Sequence, residues 1–106
     1  MATYTPAQLA STALTTTLTT TLYTAPASTS VIITSIVVTN TNTTTARNVT
    51  IDAGLGNMKL LAALPIAPGE TRIFRPGSVI LTTQVIRGGQ DTGTDVNVLI
   101  SGVTVV

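Results

Sequence analysis

The stretch SVIITSIVVTN, from Ser30 to Asn40, is the densest run of β-branched residues in the chain and decides its fold class. Val, Ile and Thr lose rotamer freedom in a helix but pack well on a pleated sheet, and nothing in the run breaks a strand. Apolar side chains occupy both alternating phases, with Ile32 in one phase and Ile33 in the other. A strand that is apolar in both phases is usually covered on both sides, so the pattern predicts a central strand.

The composition indicates one β-rich domain with a nearly uncharged surface. Of 106 residues, 43% are hydrophobic and only 8% are charged, where a typical soluble domain has about 25% charged residues. Two dozen threonines supply side chains that are polar, uncharged and β-forming. A net charge of +1 gives little field to attract nucleic acid. So few charges predict a surface that is largely covered by a partner.

Reactive side chains are scarce, which argues against an enzyme. The chain has no histidine and no cysteine, so the commonest general base, the thiol nucleophile and the usual zinc ligands are missing. We therefore predict a non-enzymatic protein with no cofactor and no small-molecule substrate. The N-terminal MATYTPAQ lacks a basic region followed by an apolar one, so no signal peptide is expected. No apolar run approaches the roughly 20 residues that span a bilayer, so no membrane association is expected.

The loop DTGTD offers the one candidate metal site. Asp91 and Asp95 flank a glycine there, with Asn97 close behind, and Ca²⁺ binds several oxygen ligands of this kind. An ordinary hairpin loop, in which Asp and Gly are common, explains the same residues.

The N-terminal segment predicts a short helix on an extended arm. Thr5 can cap a helix, Pro6 suits its first position and Gln8 can complete a capping box, so we predict a helix from Pro6 to Ala13. We divide the chain into an arm, residues 1–17, and a β-sandwich domain, residues 18–106. The arm is long enough to reach a neighbouring subunit, and folding back on its own sheet is the alternative.

Turn signals roughly every 8–12 residues predict an all-β sandwich, jelly-roll or immunoglobulin-like, of seven to eight short antiparallel strands. Pro68-Gly69 and Pro76-Gly77 predict type II turns. Gly88 to Gly93 is predicted as a loop, and Gly102 as the site of a bulge in the last strand. The predicted strands cover residues 18–24, 30–40, 48–53, 58–64, 71–75, 79–86 with a break near 82–83, and 95–106.

The predicted interface combines the N-terminal segment with two arginines. Leu and Tyr side chains in a threonine-rich segment suit contact with another subunit, and arginines suit an acidic partner surface, although solvated arginines are common. Arg87 is a third such arginine. The predicted interface residues are Thr5, Leu9, Leu14, Leu18, Leu22, Tyr23, Arg72 and Arg75.

Three parts of the chain resemble small β-sandwich virion proteins of tailed bacteriophages. They are LTTTLYTAPASTSVIITSIVVTNTNTTTARNVTI, which ends at Ile51, APGET at Ala67 to Thr71, and VIRGG followed by VNVLISGV near the end. These pieces are strand and turn motifs without a catalytic signature.

The resemblance implies a structural role in a virion that is assembled in the cytoplasm of a bacterial host. We expect a capsid cement or decoration subunit that contacts copies of itself and other virion proteins, the major capsid protein first. A neck, collar or tail component is the alternative. A carbohydrate-binding module on a fibre is a second alternative, which the shortage of aromatic residues disfavours: the chain has only Tyr4, Tyr23 and Phe74.

Overall fold

A computed structural model describes residues 2–106, so residue 1 of the predicted arm lies outside the described residues. These residues form two antiparallel sheets, which confirms the predicted β-sandwich. The choice between a jelly-roll and an immunoglobulin-like connectivity stays a prediction. The nine strands of the described part are β1 (Tyr4–Ala13), β2 (Thr21–Thr24), β3 (Ser30–Asn40), β4 (Arg47–Ala53), β5 (Met58–Ile66), β6 (Thr71–Phe74), β7 (Val79–Ile80), β8 (Val85–Gln90) and β9 (Val96–Val105).

The first sheet has the order β1-β9-β3-β6, and β7 also pairs with β3. The predicted central position of β3 is confirmed, since it pairs with β9 along one edge and with β6 and β7 along the other. Its inward-facing side chains, among them Ile33 and Ile36, are fully buried. The second sheet has the order β2-β8-β4-β5, and its Val49, Ile51 and Ile86 close the core from the opposite side.

The predicted helix from Pro6 to Ala13 is wrong, because these residues lie in β1 and pair with β9. A helix of two turns is marginal in water unless it packs against another part of the protein. As a strand, the same segment forms backbone hydrogen bonds with β9, which has ten residues. Leu9, Ala10 and Leu14 are buried in the core of their own sandwich. Residues 2–106 contain no helix that is long and apolar enough to cross a bilayer.

The glycine-rich segment after Ile86 is strand and not loop up to Gln90. A β-carbon on Gly89 would lie 2.7 Å from the carbonyl oxygens of both Thr15 and Thr17. The connection between β1 and β2 therefore packs directly against β8 at Gly89. It also accepts hydrogen bonds from β8, because Gln90 N donates to Thr15 O at 2.8 Å.

The irregularity predicted at Gly102 lies in the two strands beside it. β9 keeps its alternation through Gly102, while the register shifts between Gln8 and Ala10 in β1 and between Ile33 and Ser35 in β3. The Ile32 carbonyl of β3 approaches Gly102 from one side and the Leu9 side chain of β1 from the other, so a residue without a β-carbon suits this position.

The two Pro-Gly turns adopt the backbone that the sequence predicts. Gly69 and Gly77 have φ of 70° and 64°, as the third position of a type II turn requires. Glu70 N donates to Ala67 O at 3.0 Å and closes the first turn. The break predicted near residues 82–83 is confirmed, since it separates β7 from β8.

Candidate assembly surfaces

An ion pair closes one end of the sandwich. Arg47, at the start of β4, donates from Nε to Asp95 Oδ1 at 3.0 Å and from Nη2 to Asp95 Oδ2 at 3.0 Å. Asp95 also accepts hydrogen bonds from two side-chain amides, from Asn42 Nδ2 at 3.0 Å and from Gln90 Nε2 at 2.8 Å. Gln90 is fully buried, and its Oε1 accepts the N–H of Val96 at 2.9 Å. This network joins the loop before β9 to both sheets.

Both carboxylates of the candidate calcium loop already bind groups of the protein itself. The Arg47 guanidinium, a cation, already lies against Asp95, and Asp91 Oδ1 accepts the backbone N–H groups of Asn48 and Thr92. Residues 2–106 contain no group of three or more acidic side chains placed to hold a metal ion. The calcium site stays a prediction, and this geometry favours the alternative, a structural hairpin loop.

Acid is expected to weaken this end of the sandwich. Hydrogen bonds from Arg47, then from Asn42 and Gln90, hold the pKa of Asp95 well below its usual range. Because the unfolded carboxyl titrates near pH 4, the stabilisation by Asp95 is present above about pH 4 and is lost as the pH falls. We expect Asp95→Asn to be less stable than the wild type at neutral pH and the difference to shrink below about pH 4. Urea unfolding at several pH values measures this.

Glu70→Gln is the control for that experiment, since it also removes one carboxylate but from a turn outside the Asp95 network. A constant difference in unfolding free energy between Asp95→Asn and the wild type across the acid range would contradict the expectation.

A second charged cluster crosses three strands of the second sheet. Asp52 on β4 accepts hydrogen bonds from Arg87 Nε at 2.9 Å and from Lys59 Nζ at 3.2 Å. The Asp52 side chain is 2% exposed. Burial raises its pKa, but the hydrogen bonds from Arg87 and Lys59 outweigh burial and leave the pKa below its usual range. Arg87 therefore pairs within its own subunit, which leaves the interface prediction to Arg72 and Arg75.

The outer face of the first sheet carries rows of apolar side chains. Val37 on β3 lies between Ile73 on β6 and Leu99 on β9 in register. Because Val38 is buried in the core, this row points outward, and Ile73 is 57% and Leu99 36% exposed. The expectation that β3 is covered on both sides therefore fails within one subunit.

A parallel row repeats the pattern further along β3. Ile32 lies between Val79 on β7 and Val103 on β9, and Val79 is exposed. Beyond Val79, a groove of about 380 Å³ separates the first sheet from the β4–β5 hairpin, with the exposed Leu55 and Met58 on its far side. The apolar surface thus continues around one end of the molecule.

Among the described residues, no strand of the first sheet places a charged side chain on this outer face. Arg72 is the one charged residue in a strand of the first sheet, but it pairs with the inward-facing Val38, and its guanidinium lies 5.3 Å from the centre of the Phe74 ring. The others belong to the second sheet, Arg47, Asp52, Lys59 and Arg87, or to loops, Glu70, Arg75, Asp91 and Asp95. A charge-free apolar face on a chain this small is typical of an interaction surface.

The edges of the two sheets differ in how open they are to another strand. β2 has four residues, and the edge formed by β6 and β7 is split by a loop that contains Arg75 and Pro76. β5 is longer, but its register shifts against β4, and Lys59, Pro65 and a φ of 48° at Ala63 interrupt it. β1 has ten residues and no charge. Charges, prolines, bulges and short length are the usual protection of a strand edge. β1 has Pro6 and one register shift, between Gln8 and Ala10, but it is long and carries no charge, so it is the least protected of the four.

The predicted interface residues do not form one surface. Leu9 and Leu14 are core residues, and Leu22 and Tyr23 are partly buried in β2. Thr5 is exposed on β1, Leu18 is exposed in the β1–β2 connection, and Arg72 and Arg75 lie at the opposite edge of the first sheet. An interface through these residues stays a prediction. The reasoning from sequence missed Val37, Ile73 and Leu99, although the apolar pattern in both phases of β3 was a signal for them.

Comparison with known proteins finds similarity only at the level of solved structures. No family model and no curated protein matches the chain. A structure from the T13 particle of infectious bursal disease virus matches with a TM-score of 0.48 and 18% identity, over 98% of this chain and 30% of that one. The VP2 subviral particle of that virus gives a TM-score of 0.46, 15% identity, and 98% and 32% coverage.

Both chains come from particles of a virus that is not a tailed bacteriophage, and the present chain spans about a third of their length. Similarity at this level identifies neither the function nor the partners of this chain. These follow only from its own residues.

Proposed function

We propose that the chain is a non-enzymatic structural subunit of a virus particle that binds the particle surface through the outer face of its first sheet. The absence of charge from that face carries the proposal. Burying the row Ile73, Val37 and Leu99 against a protein shell removes apolar area from water without stranding an ion. A freely soluble monomer gains nothing from this arrangement.

Within that role, we favour a capsid cement or decoration subunit of a tailed bacteriophage. The resemblance of the β3 region and the VIRGG segment to such proteins is the support for the tailed phage. An apolar sheet face suits contact across the boundary between capsid subunits, with the major capsid protein as the partner. A neck, collar or tail component is the runner-up, and the symmetry of the chain on the particle in electron microscopy separates the two.

The fibre module is less well supported. Sugar binding uses aromatic faces, but Tyr4 and Phe74 lie on opposite edge strands of the first sheet and Tyr23 lies in the second sheet. The carboxylates of Asp52 and Asp95 are both held in ion pairs. A structural role explains these features without a ligand.

Binding to particles tests the proposal. Purified chain is added to particles that lack it, and the pellet after centrifugation is assayed. We expect the wild type to pellet in high salt as in low salt, because apolar contacts are not screened. The double variant Ile73→Thr/Leu99→Thr keeps β-forming residues but should lose binding by about tenfold or more.

Leu18→Thr is the matched control, since it removes an exposed leucine away from the outer face. Equal binding of the wild type and the double variant would show that the outer face is not used. Loss of binding in Leu18→Thr alone would favour the predicted N-terminal interface instead. Failure of the wild type to bind particles would overturn the proposed function.

A further inference from the structure

The edge of β1 that faces away from β9 is an open row of backbone groups. β1 ends the first sheet, and among residues 2–106 no strand pairs with it on that side. We propose that two copies of the chain pair antiparallel through these edges about a two-fold axis, which joins their first sheets. The inference rests on the proposed structural function and names the contact between copies.

The hydrogen bonds to β9 show which backbone groups of β1 are free. Thr3 and Val106 exchange both of their bonds, at 2.8 and 3.0 Å, so the alternation points the backbone groups of Tyr4, Pro6 and Gln8 outward. The nitrogen of Pro6, which has no hydrogen to donate, therefore lies on the free side of β1. No hydrogen bond between β1 and β9 is lost there.

Beyond the register shift, the pattern changes phase. Leu14 N donates to Val96 O at 2.8 Å, so Thr12 is oriented toward β9, and Ser11 and Ala13 direct their backbone groups outward. The free edge therefore offers donors and acceptors on both sides of the bulge.

A second copy fits this edge better than a strand of another kind of protein. In antiparallel pairing about a two-fold axis, the residue at the axis faces its own copy and the residues on either side of it face each other reciprocally. β1 has no charged residue, so no register of this pairing brings like charges together. The axis lies at Ser11 in this pairing, so the outward N–H and C=O of Ser11 pair with those of the other copy, and its side chain is uncharged. The outer face next to β1 is also free of charge, so pairing extends it into one surface across two subunits.

The other edges do not offer such a contact. β5 combines Lys59, Pro65, an irregular register and a φ of 48° at Ala63. β2 has four residues and β7 has two. Strands this short leave few backbone groups to pair, whereas β1 has ten residues.

Mass measurement by light scattering across protein concentration tests the inference. We expect the wild type to reach about twice its 10.8 kDa. Ser11→Pro removes an outward N–H and places a ring against the partner strand, and it should raise the dimer dissociation constant by about tenfold or more. Ser11→Ala removes the hydroxyl but keeps the N–H and should dimerise like the wild type. Cooperative thermal unfolding of Ser11→Pro verifies its fold.

A crosslinking experiment tests the proposed dimer even if the Ser11→Pro variant does not fold. Because the chain has no cysteine, Ser11→Cys carries a single thiol, and under mild oxidation it should form disulfide-linked dimers faster than Ala62→Cys on the β5 edge. Equal rates, an unchanged mass for folded Ser11→Pro, or a wild type that stays monomeric up to about 1 mM would each overturn the inference. A monomer that still binds particles would leave the proposed function standing, whereas a β1-linked dimer that does not bind them would overturn the function alone.

Discussion

Deletion of residues 2–14 is expected to prevent stable folding. The deletion removes Leu9 and Leu14 from the core, where Leu14 is only 1% exposed, and leaves β9 paired with β3 alone. Burial of two leucines contributes about 3–6 kcal/mol, which is comparable with the whole stability of a small domain, about 5–15 kcal/mol. Circular dichroism and urea unfolding of the truncated chain measure the effect.

Deletion of residues 2 and 3 is the matched control. It removes the bonds between Thr3 and Val106 but leaves β1 intact, so we expect a loss of no more than about 1–2 kcal/mol. If the chain without residues 2–14 unfolds cooperatively at the wild-type urea concentration, the segment is a separable arm. The division of the chain at residue 17 would then be supported.

Local sequence predicted the elements whose structure follows from the conformational preferences of a few adjacent residues. β3 was placed at its observed bounds, because a run of β-branched residues between polar segments favours no other structure. The turns at Gly69 and Gly77 were predicted because only glycine adopts positive φ there without strain. These features depend on a few adjacent residues.

β1 was missed because its structure depends on a distant strand. Thr5, Pro6 and Gln8 suit a helix start, but Pro6 suits an edge strand equally well, and the partner edge on β9 is about 90 residues away. The prediction of a loop at Gly88 and Gly89 was wrong for the same reason. Glycine is common in loops, but here its small size makes room for the β1–β2 connection that crosses Gly89.

The candidate surface was only half visible in the sequence. The apolar pattern in both phases of β3 indicated that both faces need cover, and the shortage of charge indicated a partner. Which phase faces the core is decided by pairing with β9 and by the second sheet, so Val37 could not be separated from Val38. The ion pairs Arg47–Asp95 and Arg87–Asp52 likewise join residues that are far apart in the chain.

Gly102→Val is expected to be the most damaging single substitution in the first sheet. A β-carbon at Gly102 would collide with the backbone carbonyl oxygen of Ile32 and lie 2.9 Å from Leu9 Cδ1. Leu9 can change its side-chain position, but the Ile32 carbonyl belongs to the central strand and moves only if β3 moves. Overpacking usually costs about 1–3 kcal/mol, and we expect the loss for Gly102→Ala at the upper end of this range and for valine beyond it. Urea unfolding measures both.

Two further variants separate the cause of that loss. Ser101→Ala changes the adjacent residue without adding atoms and should cost less than about 1 kcal/mol. Adding Gly102→Ala to a Leu9→Ala background should cost nearly as much as in the wild type, because removing the leucine leaves the Ile32 carbonyl in place. Full rescue in that background would mean that Leu9 alone limits the space at Gly102. Full rescue would also mean that β3 tolerates a side chain at this position, and the close approach of β3 to β9 would then not explain the glycine.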